Sequence, residues 1–533
     1  MAVRTGKVIL SKNILLDKDH KNIINYTETQ MVTLLSSNTH LVGTYTDCSF
    51  VKQGESKIDV PMPYGTALQA NYMAFQNPDY SNKWFFAFID SVEYKSDGMT
   101  RITFTVDDLA TWYDNWSPRA CFVIREHTND DTFGSNIVPE NLELGDYINN
   151  GEVTNFGLGG GGAQTYSGFI VVNSIYSPEG TETKTTDLNG IPISGGIYLF
   201  DNFTSFQNAI TRWANNAHLD SINMVYLLPE NAFDSTNLTV HYPTDPSKIY
   251  WTFNGSNVPR TITRTFTTPT RLNGYKPVNN KLWTSPYQCL MVSNNNGSSV
   301  AYQFEYFTDP ANITLECAIA CSVGGSMVVY PQNYKNVSSN LNESIIGGKW
   351  PTLSWSADAY TNWLTQNSVN IGIGIGSTIG GLILGGSDNK PGDIFGGITS
   401  IANQMAQIRQ HSLMPETTRG NVNGGDVMTG YGLNQFYCYY MSIRADMAER
   451  IDNYFTRYGY ATNKIKVPNQ TGRPYWNYIQ IASDDVIGYS NNAISVPTSA
   501  MLNINTAYRN GVTIWHNHDN IGNYSLDNSL VTE

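Results

Sequence analysis

Apolar residues in the first part of the chain recur in short blocks or at every second position. Trp84-Phe-Phe-Ala-Phe-Ile89 is such a block. Arg101-Ile-Thr-Phe-Thr-Val106 alternates with a period of two, the pattern of a strand with one buried face. Gly98 lies between them, so Tyr94 to Thr100 predicts a hairpin turn. Asp107 to Trp116 then predicts a short helix or turn. Residues 151–350 are more polar. Strand-like runs at Gly168–Val172, Met224–Leu228, Ile249–Phe253, Tyr302–Phe307 and Ser326–Tyr330 are separated there by Asn, Gly and Pro turns, which predicts a β domain. Near the C-terminus the period changes. Ile443, Met447, Ile451 and Phe455 are four apart, one face of a helix over Met441–Tyr458. Arg444, Asp446, Glu449, Arg450 and Asp452 take the rest of its surface, and Gly459 is a stop. Strand-like runs follow at Tyr475–Ile481 and Gly511–His516. The expected class is mainly β with some α.

One stretch breaks these patterns. Ala359 to Ser387 carries no charged residue, and Val369-Asn-Ile-Gly-Ile-Gly-Ile-Gly-Ser-Thr-Ile-Gly-Gly-Leu-Ile-Leu-Gly-Gly386 lies inside it. A membrane-spanning helix needs about 20 largely apolar residues. Gly372, Gly376 and Gly380 are spaced by four, as are Gly381 and Gly385, the spacing that lets membrane helices pack backbone to backbone. Val369, Ile371, Ile373, Ile375, Ile379, Leu382, Ile383 and Leu384 together favour insertion by roughly 2.5 to 5 kcal/mol. Asn370, Ser377, Thr378 and the glycines oppose them, so one copy is marginal as a spanning helix. In water each glycine inside a helix costs about 0.8 to 1 kcal/mol relative to alanine. The stretch therefore needs an assembly around it, or several copies in lipid. After the polar turn Ser387–Asp393, apolar Ile394 and Phe395 lead into Ile398, Ile401, Met405 and Ile408, an amphipathic stripe. Residues 365–411 read either as an apolar hairpin with a wet tip or as a buried glycine-rich core loop with a packed helix.

Composition narrows the function classes. Charged residues are 14% of the 533, where about 25% is usual. Polar Asn, Ser, Thr, Gly and Tyr replace them, which favours turns and half-buried strands. The formal net charge of −13 argues against a tight DNA binder, which gains its affinity by neutralising phosphates. A weakly anionic wall still lets DNA pass. The cysteines, Cys48, Cys121, Cys289, Cys317, Cys321 and Cys438, are too sparse for a disulfide framework and include no CxxC pair, so buried free thiols are expected. Cys317 and Cys321 are expected on one side of a strand. Met1 to Leu10 has no apolar core of a secretory signal.

Candidate chemistry is thin. Gly157 to Gly162 lacks the Lys-Ser/Thr ending of a phosphate loop and reads as a linker. His516, His518 and Asp519 supply too few ligands for a metal site. Arg125-Glu126-His127 reads as an exposed turn with ion pairing rather than an acid–base pair. No spacing joins Asp107-Asp108 to Asp484-Asp485 as the carboxylate pair of a glycosidase. No catalytic residue, metal ligand or cofactor is expected, and the chain is expected not to be an enzyme.

Phe75-Gln-Asn-Pro-Asp-Tyr-Ser-Asn-Lys-Trp-Phe-Phe-Ala-Phe88 with Glu93-Tyr-Lys95, Phe122-Val-Ile-Arg-Glu-His127, Arg457-Tyr-Gly-Tyr460 with Lys466-Val-Pro-Asn469, and Trp515-His-Asn-His-Asp-Asn-Ile-Gly-Asn-Tyr-Ser525 keep one order along the chain. In these stretches the chain resembles the tail knob (distal tail tube) proteins of phi29-like short-tailed bacteriophages. The resemblance implies a virion tail protein that forms a homo-hexameric tube. Residues 1–155 and 421–533 would form a discontinuous tube domain, 156–350 a β-rich middle knob domain, and 351–420 a long hydrophobic loop. It also implies that this loop plugs the tube and then penetrates the host cytoplasmic membrane. The implied partners are phage DNA in transit, without sequence specificity, other tail proteins on the upper tube or connector side, and a cell-wall-degrading protein at the distal tip. The loop matches in place and character rather than residue by residue. The alternative readings are a tail-associated receptor- or glycan-binding protein, with the Tyr- and Asn-rich middle domain as the binding part, and a cell-wall or capsule hydrolase.

Overall fold

The computed structural model describes residues 6–530 apart from 54, 78–80, 152–153, 158–167, 184, 189–190, 202, 230–237, 254–260, 295–296, 320–325, 350–351, 355–420, 423–434, 483–485 and 488–494. The chain divides into two compact units. One runs over Met1–Gly145, Gly274–Thr284 and Arg444–Glu533, the other over Asp146–Asn273 and Ser285–Ile443. The chain thus passes between units near residues 145, 273, 284 and 443.

The first unit is built on a closed barrel. Its strands are β1 (Gly6–Ser11), β3 (Leu41–Gln53), β4 (Glu55–Val60), β7 (Met99–Val106), β6 (Lys83–Ser96) and β5 (Tyr72–Asn77), in that order around the barrel. The expected hairpin is the β6–β7 pair, which turns between Ser96 and Met99. In β7 the alternation works as read: Thr100, Ile102 and Phe104 are buried. Strand β1 is apolar on both faces because both are covered. Val8 and Leu10 meet Ile58, Met73, Phe75 and Ile102, while Ile9 meets Met31 and Leu35 of α1 (Glu28–Leu35). A capping box between Thr27 and Gln30 starts α1.

A second sheet of this unit has the order β2 (Asn22–Ile24), β30 (Val512–Trp515), β29 (Trp476–Ile481), β8 (Cys121–Glu126) and β28 (Tyr460–Lys466). Its strands come from both ends of the chain. One face carries Cys121, Val123, Ile479, Ile481, Val512 and Ile514. They pack with Leu109 and Trp112 of α3 (Asp108–Trp112) and with Ile504 and Tyr508 of α6 (Thr498–Asn510). Phe85, at the start of β6, packs against the same cluster. On the other face Tyr478 meets Tyr458 of α5 (Ala445–Tyr458). Helix α5 starts later than the spacing predicts. Met441–Ile443 complete a strand, and Arg444 is the N-cap. Gly459 ends α5 with φ 65°, and a Cβ there would lie 2.1 Å from the Glu126 carbonyl oxygen. Only glycine fits that approach. Asp452, expected on the solvated side of the helix, is buried.

The second unit contains a seven-stranded sheet in the order β16 (Leu238–His241), β17 (Tyr250–Phe253), β14 (Gly196–Phe200), β11 (Gly168–Ser174), β15 (Ile222–Pro229), β25 (Thr352–Ser354) and β26 (Asn421–Val422). A five-stranded sheet joins β10 (Thr154–Gly157), β27 (Gln435–Ile443), β19 (Gln288–Ser293) and β20 (Ser299–Tyr302), with β9 (Tyr147–Asn149) also on β27. Another has β18 (Thr261–Phe266), β21 (Ile313–Ile319), β22 (Ser326–Tyr334) and β23 (Val337–Ser339), with β24 (Ile345–Lys349) also on β22. Strands β12 (Thr185–Leu188) and β13 (Ile191–Ser194) form a hairpin. Two sequence expectations change here. Tyr302–Phe307 is not one strand: β20 ends at Tyr302 and Phe304–Tyr306 is a tight helical turn, because buried Tyr302, Phe304 and Phe307 do not alternate. The unit also holds α4 (Phe203–Asn215), whose Phe206, Ala209, Ile210 and Trp213 are buried at helical spacing. Cys48, Cys121, Cys317 and Cys438 are buried and Cys289 is half-buried, and none of these five is in a disulfide; Cys321 lies outside the described residues.

Candidate functional site

The apolar stretch is rooted at one edge of the seven-stranded sheet. Strand β25 lies antiparallel beside β15, with Val225 opposite Leu353, and β26 lies antiparallel beside β25. Ser354, where the chain leaves, is the register partner of Asn421, where it returns. Adjacent strands are about 4.8 Å apart, so residues 355–420 are one closed excursion with both ends pinned together. The root is firm because β15 pairs along its length with β11, whose Ile170, Val171 and Val172 are fully buried. The residues expected to act in membrane lie outside the described residues. They are Val369, Ile371, Gly372, Ile373, Ile375, Gly376, Ile379, Gly380, Leu382, Ile383, Leu384, Ile394, Phe395, Ile398, Ile401, Met405 and Ile408. Among the described residues no helix is long and apolar enough to cross a membrane.

Arg125-Glu126-His127 is not an exposed turn. It ends strand β8, and all three residues are buried. His127 accepts from the Tyr478 N–H at 2.8 Å through Nδ1 and donates to the Thr456 carbonyl at 3.1 Å through Nε2. Burial holds its pKa down to about 3, so it stays neutral. Arg125 donates to the Gly459 carbonyl at 2.7 Å, pairs with Glu140 and lies over the Tyr454 ring. Glu140 also takes Lys281 at 2.6 Å, and Asp452 accepts from the Tyr275 hydroxyl at 2.8 Å and from the Val278 N–H at 2.7 Å. These groups draw Gly274–Thr284 into the first unit. Nothing in sequence joins Glu140, Lys281 and Asp452, which lie far apart along the chain. Every one of these polar groups is spent on holding chain together.

The His516–Asp519 region gains a partner that sequence reading missed. His40 meets His518 edge to face with ring centroids 5.0 Å apart, and His40, His518 and Asp519 offer ligand atoms within 4.8 Å of one another. Hydrogen bonding already assigns these atoms. His518 Nε2 accepts from the Leu15 N–H at 3.2 Å and Nδ1 faces Asp519 at 3.2 Å, so Nδ1 carries the proton. A metal on Nδ1 would move that proton to Nε2, against the Leu15 N–H. His516 is likewise used, between Asn25 at 2.7 Å and Asn477 at 3.1 Å. These histidines join the two ends of the chain.

The adjacent acids diverge. Asp107 caps α3 through the Ala110 N–H at 3.1 Å and accepts from the Tyr72 hydroxyl at 2.8 Å. Asp108 takes the Asn503 amide at 2.6 Å, and burial raises its pKa. Asp484 and Asp485 lie outside the described residues, as do Gly159 to Gly162.

Residues 4–117 match the model of the caudoviral major tail protein N-terminus. Residues 253–529 match the model of the C-terminal domain of Bacillus phage phi29 tail knob protein gp9. Over 557 aligned residues the chain is 26% identical to tail knob protein gp9 of Bacillus phage PZA and 25% identical to that of Bacillus phage phi29, covering 90% of this chain and 90% of each relative. Its fold is similar to that of the bacteriophage C1 tail knob protein gp12, with a TM-score of 0.65 at 13% identity, over 99% of this chain and 100% of that one. The chain is mostly β, as its composition predicts, and no catalytic grouping stands out among its described residues. Since the gp9 model alone spans more than half of its length, the chain belongs to the family of the phi29 tail knob protein gp9, structural proteins of the phage tail.

Proposed function

We propose that the chain is the subunit of a homo-hexameric distal tail tube through which the phage genome leaves, plugged before ejection by the 351–420 loops of its six copies. On release the loops enter the host cytoplasmic membrane and line a passage for DNA. In this reading the unit of Met1–Gly145, Gly274–Thr284 and Arg444–Glu533 forms the tube, and the other unit, apart from the loop, forms the knob. One end meets tail proteins on the connector side, the other a cell-wall-degrading protein at the tip. The observation that carries this reading is the charge-free apolar stretch of Ala359–Ser387 on an excursion whose ends are paired at a sheet edge. Such a root lets the excursion move without unravelling the sheet. The marginal insertion energy of one copy makes the action collective. The net charge of −13 supports a lumen that does not grip phosphates.

The test is dye release from liposomes. Oligomers of the full chain are expected to release dye under a triggering condition. Oligomers with residues 359–411 replaced by a Gly/Ser linker are expected to assemble equally well and release none. Equal release by both would refute the pore.

A further inference from the structure

Between β1 and α1 the chain runs as an arm, residues 12–26, over the outer wall of the barrel. Ile14, Leu16 and Ile24 of the arm are buried there in one cluster with Ile9, Tyr72, Phe86 and Phe88. Some of its holds do not titrate. Asn71, in the link from α2 (Tyr64–Ala67) to β5, accepts from the Ile14 N–H at 3.2 Å and donates to the Ile14 carbonyl at 2.8 Å, and β2 pairs with β30. Two others are histidines of the C-terminal segment. His518 Nε2 accepts from the Leu15 N–H, and its Nδ1–H faces Asp519. Asn477 fixes the roles at His516. Its Nδ2 donates to the Asn469 carbonyl and its Oδ1 accepts from the Arg473 N–H, so the same oxygen accepts from His516 Nε2. His516 Nδ1 is then the bare nitrogen, and it accepts from the Asn25 amide at 2.7 Å.

A protonated imidazole has two donors and no acceptor. A backbone N–H cannot reverse, so a proton on His518 Nε2 sets two donors face to face at Leu15. At His516 the Asn25 amide can turn to offer its oxygen, and that contact loses less. We infer that the arm is an acid-opened cover of the barrel wall: protonation of His518, seconded by His516, frees it from the C-terminal segment while the barrel stays folded. The groups that face His518 are Asp519 beside it, His40 from the turn before β3, and Tyr26 of the arm, whose hydroxyl accepts from the His518 N–H at 3.3 Å. Burial, with His40 adding to it, outweighs Asp519 and holds the His518 pKa below the ordinary 6.5. Burial also lowers His516, which faces Asn25 and Asn477. Both holds are therefore complete above 6.5 and weaken as pH falls from there to the folded values. Another histidine of the arm acts outside that range. His20 lies 3.4 Å from Asp107, with Asp108 and Asp19 also near, and against burial these acids raise its pKa. Its hold is complete below 6.5 and is lost as pH rises through the raised value. Below 6.5 the slope belongs to His518 and His516, each raising the opening constant by about tenfold per pH unit down to its folded pKa.

Hydrogen–deuterium exchange of the full chain at pH 7, 6 and 5, corrected for the intrinsic pH dependence of amide exchange, tests the cover. Ile14, Leu15 and Leu16 report the arm, and Val8, Ile9 and Leu10 of β1 report the barrel. Opening of the arm is expected to rise by about tenfold or more between pH 7 and pH 5, in excess of any change in the barrel. His518→Gln places a carbonyl oxygen that does not titrate where Nε2 accepts, and is expected to remove most of that rise. Adding His516→Gln is expected to remove the rest. A wild-type arm no more open at pH 5 than at pH 7, or one that opens only in step with the barrel, would overturn the inference without any variant. A double variant that folds, as its barrel protection at pH 7 shows, and keeps the wild-type rise would overturn it as well.

Discussion

Replacing Glu140 by Gln removes the only anion that both Arg125 and Lys281 touch as an ion pair among the described residues. The Glu140 and Lys281 side chains are each 2% exposed, so the screening that weakens surface pairs is absent. Stranding one member of a buried pair costs about 3 to 5 kcal/mol. Lys281 keeps the Val138 carbonyl at 2.8 Å and the faces of Phe455 and Tyr460, and Arg125 keeps the Gly459 carbonyl and Tyr454. These contacts place the loss near the lower end, about 3 kcal/mol. Burial already pulls the Lys281 pKa below the ordinary lysine value, against the pull of Glu140. A base depressed in the folded state binds fewer protons there than when unfolded. Stability therefore rises with pH from the folded pKa up to the unfolded one. In the variant the folded pKa falls further, so the deficit against wild type narrows as pH rises toward 10. Urea unfolding followed by tryptophan fluorescence at pH 7 and pH 9.5 measures both effects. Glu140→Gln with Lys281→Met should recover part of the loss, since no buried ammonium remains. A loss under about 1 kcal/mol, or a double variant no more stable than the single one, would show that the pair does not anchor Gly274–Thr284.

Two further outcomes follow from single sites. Gly459→Ala places a Cβ against the Glu126 backbone at a positive φ, and is expected to cost about 3 kcal/mol or more, read as a lower urea midpoint. His127 is held neutral down to about pH 3, so between its unfolded pKa and that value the unfolded chain binds one more proton. Stability should fall with acidification by about 1.4 kcal/mol per pH unit across that range. His127→Gln should remove that slope while lowering stability at pH 7; an unchanged slope would show that His127 is not the titrating group.

Strands and the turn between them were legible where one face is buried. In β7 the side chains alternate because solvent meets one side of the barrel. In α4 the helical spacing of Phe206, Ile210 and Trp213 was equally present, but the polar, turn-rich surroundings obscured it. Met441–Ile443 extended the apparent helix because Ile443 happens to continue its four-residue step, although it is buried as the last residue of β27. Arg125-Glu126-His127 looked like surface because charge usually is. Its burial depends on Glu140, Lys281, Lys466 and Asn469, which sequence distance hides.

By itself the sequence determined what depends on neighbouring residues: the barrel hairpin, the glycine stop at Gly459, the scarcity of charge and the uncharged stretch Ala359–Ser387. Family membership was also legible there, because its motifs are runs of adjacent residues. Tertiary structure decided what depends on distant residues meeting. It brought His40 to His518, drew Gly274–Thr284 into a unit made from both chain ends, and set Ser354 beside Asn421. Each of these is a contact whose free energy exists only once the chain between has been folded, so no local pattern records it.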